Sequence, residues 1–293
     1  MIIDSHQHFW DVSRTDYGWL TPENTLLYRN YLPADLTPLL SANKIDGTVL
    51  VQAAPSEDET RYLLELARTH SFIAGVVGWV DFESPQVDSH ITSLVEHGRG
   101  KLKGFRPMIQ DIADPHWLRR PELDDAFQSM IRHDLVFEAL VRPQHLSALR
   151  ERLMRHRDLR AVLDHAGKPG IQQGAFEGWA QDIERLARDT AVSVKLSGIL
   201  TEAGSRPSFD VLHSYIDHVI QCFGPGRILW GSDWPVLNLA SDYGEWLKLS
   251  RDLVRRLAPD DAEAIFARTA TRVYHLELQS NARHATTSQD LPV

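Results

Sequence analysis

The chain has 293 residues, 43% of them hydrophobic and 24% charged, the proportions of an ordinary globular protein. Its 31 basic and 40 acidic residues leave a formal charge of −9, which argues against a nucleic-acid partner, since that needs a basic patch to neutralise phosphates. The single cysteine, Cys222, rules out an internal disulfide framework, and no apolar run reaches the ~18 residues of a membrane span.

The first predicted strand, residues 2–9, opens without the basic and apolar regions of a signal peptide, so a cytoplasmic protein with no membrane contact is expected. It carries Asp4-Ser5-His6-Gln7-His8. An unbroken period of two would put His6 and His8 on one face, together with Ile2 and Asp4. The connection that follows, residues 10–33, is long and holds Trp10, Tyr17, Trp19, Tyr28 and Tyr31. Long loops in compact domains usually serve function, for example as a lid.

Seven more apolar runs follow, at 47–53, 73–80, 102–108, 135–141, 161–165, 192–196 and 228–233. Each reads as a near-continuous hydrophobic strand, the pattern of a parallel sheet covered on its outer face. Amphipathic segments separate them. Residues 57–70 bring Tyr62, Leu63, Leu66 and Ala67 to one face, behind a capping box of Ser56 and Glu59. Residues 86–97 follow Pro85 at a helix start, and residues 176–188 align Trp179, Ile183, Leu186 and Ala187. Eight strands starting about 32 residues apart on average predict an α/β fold, a (β/α)₈ barrel. A doubly wound sheet would show a Gly-rich turn after the first strand, where Phe9-Trp10-Asp11 stands instead. Residues 259–278 add a helix, giving one barrel domain over 1–278, and the polar stretch 279–293 reads as a disordered tail.

In such a barrel, polar residues at strand C-termini are the candidates for chemistry. Eleven of the 14 histidines fall in helix-like polar stretches or near the chain end, and a structural role suffices for them. The other three are His6 and His8 on the first strand and His165, in Asp164-His165-Ala166-Gly167-Lys168-Pro169, on the sixth. The eighth ends in Gly231-Ser232-Asp233-Trp234-Pro235, and a carboxylate closing an apolar strand is costly unless paired or coordinated. Glu138 in the fifth strand is either a metal ligand or the ion-pair partner of Lys195 or Arg106. Arg106 closes the fourth strand with a fork suited to a carboxylate or polyol. Lys195, in Val194-Lys195-Leu196-Ser197-Gly198, is divided between the site and the barrel wall. His6, His8, His165 and Asp233, with Glu138, form an N/O donor set for one divalent ion, zinc for preference. The chemistry of such a set is attack by activated water on a polarised carbonyl. No phosphate loop, serine elbow or Cys/His pair competes with it.

The His-x-His, Asp-His-x-Gly-Lys-Pro and Gly-Ser-Asp-Trp-Pro motifs resemble those of the amidohydrolase superfamily, in its sugar-lactonase branch, over roughly residues 1–276. The resemblance implies a distorted (β/α)₈ barrel that hydrolyses a sugar-acid lactone in carbohydrate catabolism. It implies Asp233 as general base, with His6, His8 and His165 as metal ligands or carbonyl-polarising groups. Glu138 where two-metal relatives have lysine or histidine speaks against a bridged two-metal centre. Members of the branch that need no metal keep a metal-independent alternative open. Arg106, Trp10, Tyr17, Trp19, Lys195 and Trp234 are then expected around the substrate. The rivals are a metal-dependent decarboxylase of the same fold and a barrel retained only for binding. A homo-oligomer is left open.

Overall fold

The computed structural model describes residues 1–204 and 209–278; the stretch 279–293, expected to be disordered, lies outside them. Eight parallel strands run in the order β1 (Ile3–Gln7), β2 (Gly47–Val51), β3 (Ile73–Gly78), β4 (Leu102–Phe105), β5 (Val136–Ala139), β6 (Ala161–Leu163), β7 (Ser193–Leu196) and β8 (Ile228–Trp230). Helices α1 (Pro33–Asn43), α2 (Glu57–Thr69), α3 (Val87–Gly98), α4 (Asp124–Arg132), α5 (Leu146–Arg155), α6 (Glu177–Asp189), α7 (Ile199–Ala203), α8 (Phe209–Phe223) and α9 (Tyr243–Leu257) lie between or after them. All eight predicted strands are present, as a nearly closed barrel wrapped in helices. Among the described residues no helix is long and apolar enough to cross a membrane.

The strands are apolar on both faces because both are covered. Leu50, Val76, Phe137, Leu163 and Val194 turn outward to the helices. Ile3, Val49, Val51, Val77, Val136, Val162 and Leu229 turn inward, where they meet Ala267, Ala270, Val273, Tyr274 and Leu276. The predicted helix over 259–278 is therefore a plug for the inner core, built from a π-helical turn, Ala264–Arg268, and a short α10, Thr269–Val273.

β1 departs from the simple period. Its register against β2 shifts between Asp4 and Gln7. Ile3 belongs to the inner core and Ile2 to the outer one, yet His6 and His8 also converge inside. The irregularity switches parity, so the expectation that Ile2 and Asp4 share the histidines' face is wrong. Asp4 serves the seam between β1 and β8. Its carboxylate accepts from the Ser232 backbone N (2.8 Å), Ser232 Oγ (2.6 Å) and Tyr243 OH (2.8 Å). Burial pushes it up to about 6 even so. Backbone bonds from Asp233 N to His6 O and from His8 N to Trp234 O, both 2.8 Å, complete the closure.

Candidate active site

His6 lies in β1 and His8 just past its end, and His165 and Asp233 likewise stand just beyond the strands expected to carry them. His165 has φ 51° and Asp233 φ 61°, both in the left-handed region. Non-glycine residues adopt this region at a cost that surrounding contacts must over-determine, and such turns collect at functional sites. Here they swing both side chains over the barrel mouth. The His165 ring rests against Gly198, where an added Cβ would lie 2.7 Å from the imidazole and where φ is +65°. We therefore expect Gly198→Ala to push His165 out of place. It should lower kcat/KM by ~10-fold or more and reduce thermal stability, as enzyme assay and calorimetry would read.

The donor atoms meet closely. His6 Nε2 lies 3.1 Å from His8 Nε2 and 3.6 Å from Asp233 Oδ1; His8 Nε2 lies 3.3 Å and His165 Nε2 4.0 Å from that oxygen. Donors held ~2.0–2.1 Å from one tetrahedral ion are ~3.4 Å apart, so His6, His8 and Asp233 match three corners of such a shell. His6, His165 and Asp233 also keep donor atoms within 4.8 Å of one another. The His8 Nδ1–H donates to Val51 O at 2.8 Å, which leaves Nε2 with the lone pair a metal needs. His165 is braced through Nδ1 by Ser197 Oγ at 2.9 Å. His6 is the exception. Its Nδ1 is 2.9 Å from Lys195 Nζ, a contact that places the ring hydrogen on Nε2. Ligation by His6 would move that hydrogen to Nδ1, where Asp164 Oδ1 stands 3.5 Å away to receive it.

Charge is arranged to keep the mouth ready to accept protons or a cation. Burial alone would raise the Asp233 carboxyl, but His165, His8 and His6 hold it well below the usual carboxylate range. Burial lowers His165 to about 4, against the pull of Asp233 and Asp164. Burial, with the Lys195 charge, drives His6 well below its ordinary value. His6 and His165 are thus neutral and the Asp233 carboxylate ionised near pH 7.

Beneath this cluster lies a second one. Lys195, fully buried, has its Nζ 2.7 Å from Glu138 Oε2 and 3.2 Å from Asp164 Oδ1. His6, Glu138 and Asp164 also keep donor atoms within 4.8 Å, but the Lys195 ammonium already sits among them as their cation. Of the two roles open to Glu138, the ion pair is the one the geometry carries, and metal ligation by Glu138 is set aside. Tyr274 OH donates to Glu138 Oε1 at 2.5 Å, so the C-terminal plug is tied to the same network. Burial pushes Glu138 up to about 7 despite Lys195. Burial works against Asp164 too, yet Lys195, His6 and Arg106 hold it well below the usual range.

The residues expected around a substrate fare unequally. Trp10 is fully buried and spends its indole N–H on Arg29 O and Leu27 O, so it belongs to the core. Trp234, 3% exposed, packs edge-on against Phe9 and Tyr31, and its expected role as a stacking wall is corrected in the same way. Lys195 is internal, as described. Tyr17 is buried, and of the aromatics expected around the substrate only Trp19 keeps a large exposed face, at 39%. Arg106 is 3% exposed. Its NH2 donates to Gln52 O (2.5 Å) and Oε1 (2.9 Å), tying the ends of β2 and β4, while NH1 lies 3.3 Å from His6 Nε2 and 3.5 Å from Asp164 Oδ2. Arg106 therefore holds structure as well as bordering the site.

Sequence reasoning missed Asp164, Ser197, Gln52 and Tyr274. Asp164 directly precedes His165, and a second costly carboxylate at that strand end is a usable signal. Tyr274 had none, because only the tertiary fold returns it to the barrel.

Comparison with known proteins adds to this geometry. The model of a family described as amidohydrolase matches residues 3–276. The chain is 43% identical over 289 residues to an L-fucono-1,5-lactonase of Burkholderia ambifaria, covering 97% of this chain and 98% of that protein. It is 38% identical to an L-fucono-1,5-lactonase of Burkholderia multivorans, over 96% of this chain and 98% of the other. The crystal structure of a zinc-bound amidohydrolase from Burkholderia multivorans superimposes with a TM-score of 0.88 at 36% identity, covering 94% of this chain and all of that one.

Proposed function

The chain belongs to the amidohydrolase family and is a lactone hydrolase, and we propose that it opens a sugar-acid lactone such as L-fucono-1,5-lactone by attack of water on the ester carbonyl. The observation that carries the mechanism is the Asp233 carboxylate set 3.3–4.0 Å from three imidazole nitrogens at the barrel mouth. Asp233, ionised and directed at this point, takes a proton from the attacking water. In this reading His165, whose Nε2 is 4.0 Å from Asp233 Oδ1, polarises the carbonyl or steadies the oxyanion. Arg106 borders the same space through NH1 and is placed to meet a substrate oxygen. A divalent ion, when held by His6, His8 and Asp233 with His165 nearby, supplies Lewis acidity and a more acidic water. Zinc is the ion we favour, since the related Burkholderia multivorans structure carries it. The reading takes residues 1–278 as one barrel domain of a cytoplasmic enzyme of carbohydrate catabolism.

The direct test is a panel of lactones in a pH-indicator assay, with and without added zinc or manganese. Acid release without CO₂ supports hydrolysis, and CO₂ from an unsaturated acid would transfer the protein to the decarboxylase reading. Protein purified without chelator should contain up to about one metal ion per chain by elemental analysis. Exhaustive chelation should then lower kcat, and zinc should restore it. Full activity in metal-free protein would leave the three imidazoles and Asp233 to act alone.

A further inference from the structure

Two of the imidazoles at the barrel mouth are anchored through Nδ1 by partners of opposite character. Val51 O beside His8 is a carbonyl oxygen and only accepts, so the His8 hydrogen is on Nδ1 and the Nε2 lone pair faces the cluster. His165 instead meets a hydroxyl, Ser197 Oγ, at 2.9 Å. A hydroxyl either accepts from an N–H or donates to a lone pair, and its surroundings decide which. Ser197 is fully buried just beyond β7, and among the described residues His165 Nδ1 is the one hydrogen-bond partner of its Oγ. If Oγ accepted, the serine hydrogen would be left buried and unmet, which is costly. Ser197 therefore donates to Nδ1. Burial keeps the ring neutral near pH 7, so its one hydrogen stands on Nε2.

The other side of the ring agrees. His165 Nε2 lies 4.0 Å from Asp233 Oδ1, an ionised oxygen that attracts a hydrogen and repels a lone pair. This is also the longest separation in the cluster. His6 and His8 Nε2 lie 3.6 and 3.3 Å from the same oxygen and 3.1 Å from each other. Against the ~3.4 Å between donors on one tetrahedral ion, His165 stands outside the shell that the other three match.

We propose that His165 is a hydrogen-bond donor to the substrate carbonyl oxygen and not a metal ligand, and that Ser197 is the positioning residue that fixes its Nε2–H form. The donor's task rests on the hydrolase reading above; the tautomer rests on the hydroxyl and carboxylate that flank the ring. The histidines then divide the work. His8 offers a lone pair, while His165 offers a hydrogen that it keeps, aimed at the negative charge that gathers on the carbonyl oxygen as water adds.

The test uses the full chain with ¹⁵N-labelled histidine, in which NMR reads the two ring nitrogens separately; the His165 signals are those lost in His165→Gln. Wild type should show the His165 hydrogen on Nε2, the reverse of His8. Titrated zinc should shift the His8 signals and leave the His165 hydrogen in place. Ser197→Ala should change the His165 Nδ1 signal and lower kcat on L-fucono-1,5-lactone by about five- to tenfold, with KM altered less than twofold. Its zinc affinity should stay within twofold of wild type, whereas loss of a brace on a metal ligand costs roughly 10–100-fold. A His165 hydrogen on Nδ1 in wild type, or its displacement from Nε2 by zinc, overturns the proposal, and lactone opening by the same protein leaves the hydrolase standing. A tenfold loss of zinc affinity in Ser197→Ala overturns it as well. If wild type opens no lactone while His165 keeps its Nε2–H, the hydrolase reading falls and the tautomer stands. The deciding spectra are those of wild type, so the outcome does not depend on how well Ser197→Ala folds.

Discussion

Asp233→Asn is expected to lower kcat by at least ~100-fold, because loss of general-base help alone costs about 10²–10⁴ in rate. Asparagine keeps the size and shape of the side chain, so the left-handed turn at φ 61° and the bond from Asp233 N to His6 O should survive. Asn and Asp are also among the residues that best tolerate that turn. What is lost is the charge that His165, His8 and His6 all favour. Because these imidazoles hold the carboxyl below its usual range, the wild-type base is ionised throughout the neutral region. Activity should fall only as the pH drops through that depressed value. The acidic limb of the wild-type rate profile therefore belongs on the acid side of the ordinary carboxylate range, and it should be missing from any residual activity of the variant. Binding of an unreactive lactone analogue should change much less than kcat, which separates a lost base from a damaged pocket. A variant that turns over lactone within a few-fold of wild type would pass the role of base to His165.

The barrel was legible because each strand is a continuous apolar run bounded by helical periodicity, a pattern that only a covered parallel sheet needs. The three motifs gave the donor cluster for a related reason: imidazoles and carboxylates at the ends of apolar runs have no bland use in such number. Finer geometry was not legible. The parity switch inside β1 depends on the seam that Asp4 makes with Ser232 and Tyr243, more than 200 residues away in sequence. The aromatic residues misled, since Trp10 and Trp234 look like ligand platforms in sequence but are drawn into the core by Tyr31. Glu59 shows the same limit on a small scale. Ser56 caps α2 as expected, accepting from Glu59 N at 3.0 Å. The Glu59 carboxylate, however, turns to the backbone N–H groups of Ala53 and Ala54 and pins the loop beside Gln52. Local pattern identifies the cap, and tertiary contacts decide where the other half of the box goes.

Lys195→Met should be among the most damaging single changes to the fold, costing ~3–5 kcal/mol, a large share of the ~5–15 kcal/mol that holds a typical domain. Among the described residues the ammonium is the one cation in contact with both Glu138 and Asp164; Arg106, at 3.5 Å, meets Asp164 alone. All three groups are fully buried, so removing Lys195 leaves two carboxylates without their main partner in a low-dielectric interior. The penalty should depend on pH, and its sign follows from the carboxylates. Glu138 already stands at about 7 with Lys195 beside it. Without the lysine, Glu138 moves further up, and Asp164 loses the first of the charges that lower it. Folded-state values above the unfolded ones mean that the native state binds more protons, so the variant loses stability as pH rises. Urea titrations at pH 5.5 and pH 8 should therefore show the larger deficit at pH 8. Adding Glu138→Gln, which retains an oxygen for Tyr274 OH, should recover a substantial part of the loss at pH 8. If Lys195→Met unfolds at the same urea midpoint as wild type at both pH values, the buried ion pairs are not what steadies the floor beneath His6. In that case the packing of the α10 plug against the inner strand residues carries that load alone.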